Sequence, residues 1–183
     1  MFSDILQKYS SIDTRYGTDK MTSHSYQDVY NELFYKYKNT CRNILEIGFD
    51  GGFALQSYSE YFMNAIVYGI DIKDNRASNV NPNIKVYIGD ACSDESINHF
   101  NTEFDIIVED ASHLPEHQIQ HFKDYSKFIK KGGVYIIEDV HENAINRVVN
   151  EISSYASEFT YKIYDLRHIK NRFDDIMIVY TKI

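Results

Sequence analysis

Asp71, Asp90, Asp110 and Asp139 each follow a short apolar run, and a glycine-rich turn, Glu46-Ile47-Gly48-Phe49-Asp50-Gly51-Gly52, follows another. A carboxylate at a strand end accepts both hydroxyls of a ribose. Glycines let the backbone turn sharply and approach a ligand closely. The helix that follows such a turn opens with free N–H groups. Asp71 stands 25 residues after Glu46, at the end of the next apolar run. Together they read as a site for a nucleoside cofactor.

Position 50 selects among such cofactors. The dinucleotide fingerprint G-x-G-x-x-G lets a pyrophosphate reach the helix N-terminus. Asp50 stands where the second glycine would be. Its carboxylate repels a pyrophosphate, which disfavours NAD. It does not repel the sulfonium and amino group of S-adenosylmethionine.

The pattern around these residues predicts strands over 43–47, 65–70, 84–88, 104–108, 134–137, 159–164 and 176–180. It predicts helices over 53–62, 115–129 and 144–156, and one starting near His24. Lys130-Lys131-Gly132-Gly133 has the chemistry of a helix stop. Alternation of this kind implies an α/β fold, a mostly parallel sheet covered by helices on both faces. The last two strands are too closely joined for a crossover helix and imply an antiparallel edge hairpin. Ligands of open α/β sheets lie outside the strands' carboxyl ends. The acids at 71, 90, 110 and 139 are therefore expected on one rim. The charged stretch 165–175 reads as a solvated loop, with acceptor recognition as its alternative.

The chain's 183 residues, 43% of them hydrophobic, suit one domain over 1–183. Residues 1–40 form a helical N-terminal extension in this reading, and 41–183 the core. No apolar run approaches the roughly 18–20 residues of a membrane span, and no signal peptide is visible. A net charge of -8 without a basic block argues against nucleic acid as a partner. Cys41 and Cys92 show neither metal spacing nor a disulfide framework, so a cytoplasmic setting is expected.

Leu45-Glu46-Ile47-Gly48, Gly69-Ile70-Asp71, Gly89-Asp90 and Lys131-Gly132-Gly133 resemble the successive motifs of class I S-adenosylmethionine-dependent methyltransferases. Three segments narrow this: Tyr16-Gly17-Thr18-Asp19-Lys20, Val108-Glu109-Asp110-Ala111-Ser112-His113 and Ile137-Glu138-Asp139. They resemble the metal-dependent macrocin and mycinamicin sugar O-methyltransferase group. Cephalosporin hydroxylase-like proteins share parts of the pattern. The resemblance runs from about residue 15 to residue 140.

It implies a Rossmann-like methyltransferase fold with a seven-stranded sheet, S-adenosylmethionine as methyl donor, and Mg2+. It makes Asp110 and Asp139 metal ligands, with Glu138 as a further one, and His113 the general base beside Asp110 in catalysis. Some relatives add an upstream acid, for which Glu32 and Asp28 are the candidates. Residues 16–20 would fold over the cofactor as a lid. The expected cofactor-binding set is Tyr16, Thr18, Lys20, Glu46, Gly48, Gly52, Asp71, Ile72, Asp90, Ala91 and Asp110. Relatives usually read D-D-G-S-H where this chain has Glu109-Asp110-Ala111-Ser112-His113, and Ala111 removes backbone freedom there.

The chemistry is coherent. A sugar hydroxyl is a weak nucleophile; a divalent cation lowers its pKa, and a histidine takes the proton. The expected substrate is a small carbohydrate-like molecule, with no nucleic-acid or membrane partner and a homo-oligomeric assembly. An amine or phosphate-linked acceptor, or a non-catalytic cofactor-binding module, are the competing readings. His117 and His121, at i,i+4 spacing, are a lesser metal candidate, and His141 a lesser substrate contact.

Overall fold

Side chains of a strand point alternately to opposite faces, and the apolar residues here fill both faces. The computed structural model describes residues 1–76 and 81–183. The chain opens with helix α1 (Phe2–Leu6) and, after two short 3-10 turns, helix α2 (Gln27–Tyr37). There follow β1 (Asn43–Ile47), α3 (Phe53–Tyr61), β2 (Ile66–Asp71), β3 (Ile84–Ile88), α4 (Asp94–His99) and β4 (Phe104–Glu109). Then come α5 (Pro115–Tyr125), β5 (Ile129–Ile137), α6 (Ile145–Ser153), β6 (Phe159–Asp165), the single turn α7 (Arg167–Lys170) and β7 (Ile176–Lys182).

The strands form one sheet in the order β3-β2-β1-β4-β5-β7-β6. The first five pair in parallel. β7 runs antiparallel to both β5 and β6, the expected edge hairpin. Among the described residues no helix is long and apolar enough to cross a membrane.

One face of the sheet packs against α1, α2 and α3. Ile44, Ile106, Val108, Val134 and Ile136 meet Phe2, Tyr30, Phe34 and Tyr58 there. Edge-to-face contacts such as Phe2–Phe34, with centroids 4.8 Å apart, add directional attraction of about 0.5–1.5 kcal/mol each. On the other face Leu45, Ile107, Tyr135 and Ile137 pack against Phe122 of α5 and Val148 and Ile152 of α6. The same alternation sorts the acids. Glu46 follows the parity of Ile44, and Glu138 that of Ile136, so both turn toward the N-terminal helices. Glu109 follows Ile107 and turns toward α5.

Two expectations are corrected. Lys130-Lys131-Gly132-Gly133 does not end a helix: α5 stops at Tyr125, a 3-10 turn follows, and all four residues lie in β5. Phe104 already pairs with Ile129, and Lys130 is anchored by the Asp105 carboxylate at 3.1 Å, so the strand starts early and absorbs a register shift. The stretch 165–175 is not simply a solvated loop. It holds the turn α7, and Asp174 and Asp175 fold under, 8% and 0% exposed. Helix α4, capped by the Ser93 hydroxyl, lay outside the expected elements.

Candidate active site

The carboxyl ends of β1, β2 and β3 border a cavity of about 440 Å³. Gly48, Asp71, Ile72, Asp90, Ala91 and Asp110 line it. A second cavity of about 290 Å³ lies beside it, lined by Thr18, Glu46, Gly48, Asp110, His113 and Asp139 among others. Gly48 and Asp110 border both. The four strand-end acids thus lie on one rim, divided between two adjoining spaces.

Gly48 is required by that junction. Its φ is +85°, and a Cβ there would lie 2.3 Å from the Asp110 carbonyl oxygen and 2.4 Å from the Ala111 Cα. Those are backbone atoms and cannot swing aside. Gly52, at φ +74°, opens α3 in a left-handed conformation. Asp50, His113 and Asp139 are left-handed without being glycine, at φ 40°, 58° and 53°. Such strained backbone gathers at functional sites. Ala111 keeps an ordinary φ, so the turn after β4 takes its left-handed step at His113, where sequence had suggested the loss of glycine at 111 would matter.

On the first cavity's rim, the backbone N–H of Asp50 donates to Asp71 Oδ2 at 3.0 Å, and that of Lys73 to Asp71 Oδ1 at 3.0 Å. The carboxylate is held facing the space between Ile70 and Ile72, with lone pairs left for a diol. Asp90 is oriented by the Cys92 N–H at 2.9 Å. Isoleucine walls with a few placed acids are the composition of a nucleoside site.

In the second cavity the His113 ring lies between two carboxylates. Nε2 is 3.2 Å from Asp110 Oδ1, and Nδ1 is 3.4 Å from Asp139 Oδ2. Burial pulls the imidazole down, but the hydrogen bond and charge of Asp110 and the charge of Asp139 outweigh it and push it up to about 9. Burial, reinforced by Asp110, pushes Asp139 up to about 7. Burial also acts on Asp110, yet Lys20 and His113 hold it well below the usual carboxylate range. The ligand atoms of Asp110, His113 and Asp139 lie within 4.8 Å of one another. Two hard carboxylate donors so close suit Mg2+.

Beneath the triad lies a buried cluster that sequence had not assembled. Lys20, 1% exposed, donates to Asp110 Oδ2 at 2.5 Å and to Glu138, and lies 3.3 Å from Glu46. Tyr30 donates to Glu138 at 2.5 Å, and Tyr58 to Glu46 at 3.2 Å. Burial pushes Glu138 well above the carboxylate range and Glu46 to about 7, each against the pull of Lys20. Asp110 and then Glu138 keep Lys20 charged despite its burial.

Asp139 has its own supports. The Tyr26 hydroxyl donates to Asp139 Oδ1 at 2.5 Å, and His24 Nδ1 is 3.1 Å from the same oxygen. His24 stacks on Tyr26 with centroids 4.9 Å apart. Only the order of residues 20, 24, 26 and 30 in the chain hinted at this, as one segment turning polar groups inward.

Other sequence candidates fall elsewhere. Tyr16 is 70% exposed and borders neither cavity. Lys20 and Glu138 sit below the cavity floor. Glu32 binds Lys162 and Tyr164 at the sheet edge, and Asp28 is exposed, so neither supplies the upstream ligand. Asp19, from the same segment as Lys20, lines the second cavity instead. His117 and His121 face different partners, Ser112 and Glu109, and form no ligand group among the described residues. His141 packs on Phe173 away from both cavities.

No family model matches the chain. Demethylmacrocin O-methyltransferase of Streptomyces fradiae is 30% identical over 143 residues, 72% of this chain and 36% of that protein. The 8-demethyl-8-alpha-L-rhamnosyl tetracenomycin-C 2'-O-methyltransferase of Streptomyces olivaceus is 27% identical over 136 residues, 69% of this chain and 36% of that protein. The chain spans about a third of the length of these curated relatives. Among solved structures, the MycE methyltransferase of the mycinamycin biosynthetic pathway, in complex with Mg, SAH and mycinamycin VI, superposes with a TM-score of 0.77. It is 18% identical, and the match covers 99% of this chain and 53% of that one. The chain thus has the fold of the MycE methyltransferase structure, and over about 70% of its length it is similar in sequence to the demethylmacrocin and mycinamicin VI O-methyltransferases.

Proposed function

We propose that the chain transfers a methyl group from S-adenosylmethionine to a hydroxyl of a small carbohydrate-bearing molecule, assisted by Mg2+. One observation carries this reading. Asp110, Asp139 and His113 converge within 4.8 Å in the second cavity, and Asp110 also borders the first, so a base and a pair of hard donors adjoin the space that suits a methyl donor.

Asp71 would hold the ribose hydroxyls and the Gly48 turn the donor's methionine end. The donor supplies an electrophilic methyl on a cationic sulfur, which Asp50 and Asp110 accommodate. Asp110 and Asp139 would hold the cation, which supplies Lewis-acid polarisation of the acceptor hydroxyl. His113 takes the hydroxyl proton at a ring nitrogen as the oxygen attacks. It does so once the two carboxylates that hold it protonated are engaged elsewhere. Lys20 keeps Asp110 ionised and fixed, and Tyr26 fixes Asp139. Rigid placement of this kind removes orientational freedom before reaction.

The second cavity counts Asp19, Glu46, Asp50, Asp110 and Asp139 against His113 and Arg172, and Arg172 is already engaged by Asp174 at 2.6 Å. That acidic balance favours a neutral polyol over a phosphate-linked acceptor. The MycE structure, with Mg, SAH and mycinamycin VI bound, is consistent with the reading.

The test is calorimetry with S-adenosylhomocysteine and NAD, followed by transfer of labelled methyl to a panel of free sugars, glycosides and nucleotide sugars with and without EDTA. Binding of S-adenosylhomocysteine but not NAD, with EDTA-sensitive transfer to a sugar hydroxyl, is expected. Failure to bind S-adenosylhomocysteine sinks the proposal.

A further inference from the structure

The first cavity carries a second constellation that the proposed methyl transfer does not use. Cys92 follows β3, His121 stands on α5, and Glu109 ends β4. Cys92 Sγ lies 3.3 Å from His121 Nε2, and His121 Nδ1 lies 3.0 Å from Glu109 Oε1. Glu109 is 0% exposed and His121 3%. A carboxylate buried this deeply needs a donor, and the His121 Nδ1–H supplies one. That choice of tautomer leaves Nε2 as the acceptor facing the thiol. Cys92 is partly exposed, and it lines the 440 Å³ cavity together with His121.

Nucleophile, base and an acid that orients the base, each within hydrogen-bond reach of the next and drawn from three elements, form the arrangement that activates a weak nucleophile. We propose that Cys92 is a nucleophilic thiol served by His121 and Glu109, a covalent modification site for small uncharged carbon electrophiles that enter this cavity. In the step, a Cys92 S–C bond forms as the bond from that carbon to its leaving group breaks. The leaving group departs with the electron pair, and the thiol proton passes to His121 Nε2. Glu109 then faces the resulting imidazolium. Burial, with Asp90, Asp124 and Glu109 nearby, pushes the thiol up, so Cys92 rests protonated and depends on His121 at the moment of attack. The acids Asp50, Asp71, Asp90 and Asp110 around the cavity set the preference for an uncharged reagent. An adduct there fills the space between Asp90 and His121 and excludes a nucleoside; this last clause rests on the methyltransferase reading.

Cys41 is an internal control, 1% exposed and pushed up to about 12 by burial. The experiment treats the folded chain with iodoacetamide and follows the Cys92 and Cys41 peptides by mass spectrometry. Cys92 should be alkylated at least about tenfold faster than Cys41, and His121→Gln should slow Cys92 by about tenfold or more with the melting transition retained. Equal rates at the two cysteines, or an unchanged Cys92 rate in a folded His121→Gln chain, overturn the proposal. Should that variant not fold, the wild-type Cys92 rate is compared with its rate in urea. A folded rate at or above the unfolded one supports activation, and a slower one overturns it. Saturating S-adenosylhomocysteine should protect Cys92. Binding without protection overturns the placement of the thiol. Absence of binding, with the His121 dependence intact, sinks the methyltransferase reading and upholds the thiol.

Discussion

Lys20 and Asp110, 90 residues apart in the chain, meet at 2.5 Å beneath the rim of the sheet. The ammonium is buried against three carboxyl groups, Asp110, Glu138 and Glu46, and Asp110 is its ionised partner. Removing one partner from a buried ionic cluster leaves uncompensated charge, at a cost of about 3–5 kcal/mol. Lys20→Met should therefore lower stability by that order in urea titrations. A variant as stable as the parent would show that the cluster carries no such charge.

His113 is protonated at neutral pH because Asp110 and Asp139 outweigh its burial and push it up to about 9. A divalent cation on those carboxylates removes that cause. Binding of Mg2+ at pH 7.5 should therefore release a proton. Calorimetry in buffers of different ionisation enthalpy reads this as a buffer-dependent heat. His113→Asn keeps a residue tolerant of left-handed backbone and should abolish the dependence.

The same shift makes the cation-free protein pH-sensitive. The folded pKa of His113 lies above the ordinary 6.5, so its stabilising contribution is full below that value and is lost as pH rises toward about 9. Asp139, also raised, to about 7, acts in the same direction between about pH 4 and 7. Melting temperature should fall from pH 6.5 to 9, and His113→Asn should flatten that slope. A rising melting temperature over the interval contradicts the arrangement.

Tyr26 holds Asp139 Oδ1 and leaves Oδ2 toward the His113 ring. Partners behind a ligand typically tune metal affinity by about 10–100-fold. Tyr26→Phe should weaken Mg2+ binding by about tenfold while S-adenosylhomocysteine affinity is kept. Equal losses for both ligands would point to general disruption.

Gly48→Ala places a methyl against the backbone of residues 110 and 111. Overpacking costs about 1–3 kcal/mol, and here it also displaces the junction of the cavities. Loss of S-adenosylhomocysteine affinity together with a lowered melting temperature is the expected result.

The strands and their terminal acids were legible because period-two burial and glycine turns are local signals. The edge hairpin was legible because a short loop forbids a crossover. Lys130-Lys131-Gly132-Gly133 misled for a physical reason: the chemistry that stops a helix also suits a strand's irregular entrance, and what decides is the pairing of Ile129 with Phe104. The Lys20 cluster was hidden because its members come from positions 20, 46, 110 and 138, and although each was a site candidate in its own segment, nothing local shows that they pair with one another below the cavity. Asp174 and Asp175 were hidden likewise, since their burial depends on how the chain from α7 tucks under the site.

Asp110 borders both cavities. One carboxylate is thus felt by whatever occupies either space, and the two occupancies are thermodynamically linked. A cationic donor on one side lowers the negative potential that a metal ion seeks on the other, and the antagonism is reciprocal. The demethylated donor is uncharged at sulfur and lifts it. If the chain acts as proposed, spent cofactor and metal should therefore tolerate one another better than fresh cofactor and metal do, and the metal should hold hardest at product departure rather than at donor arrival.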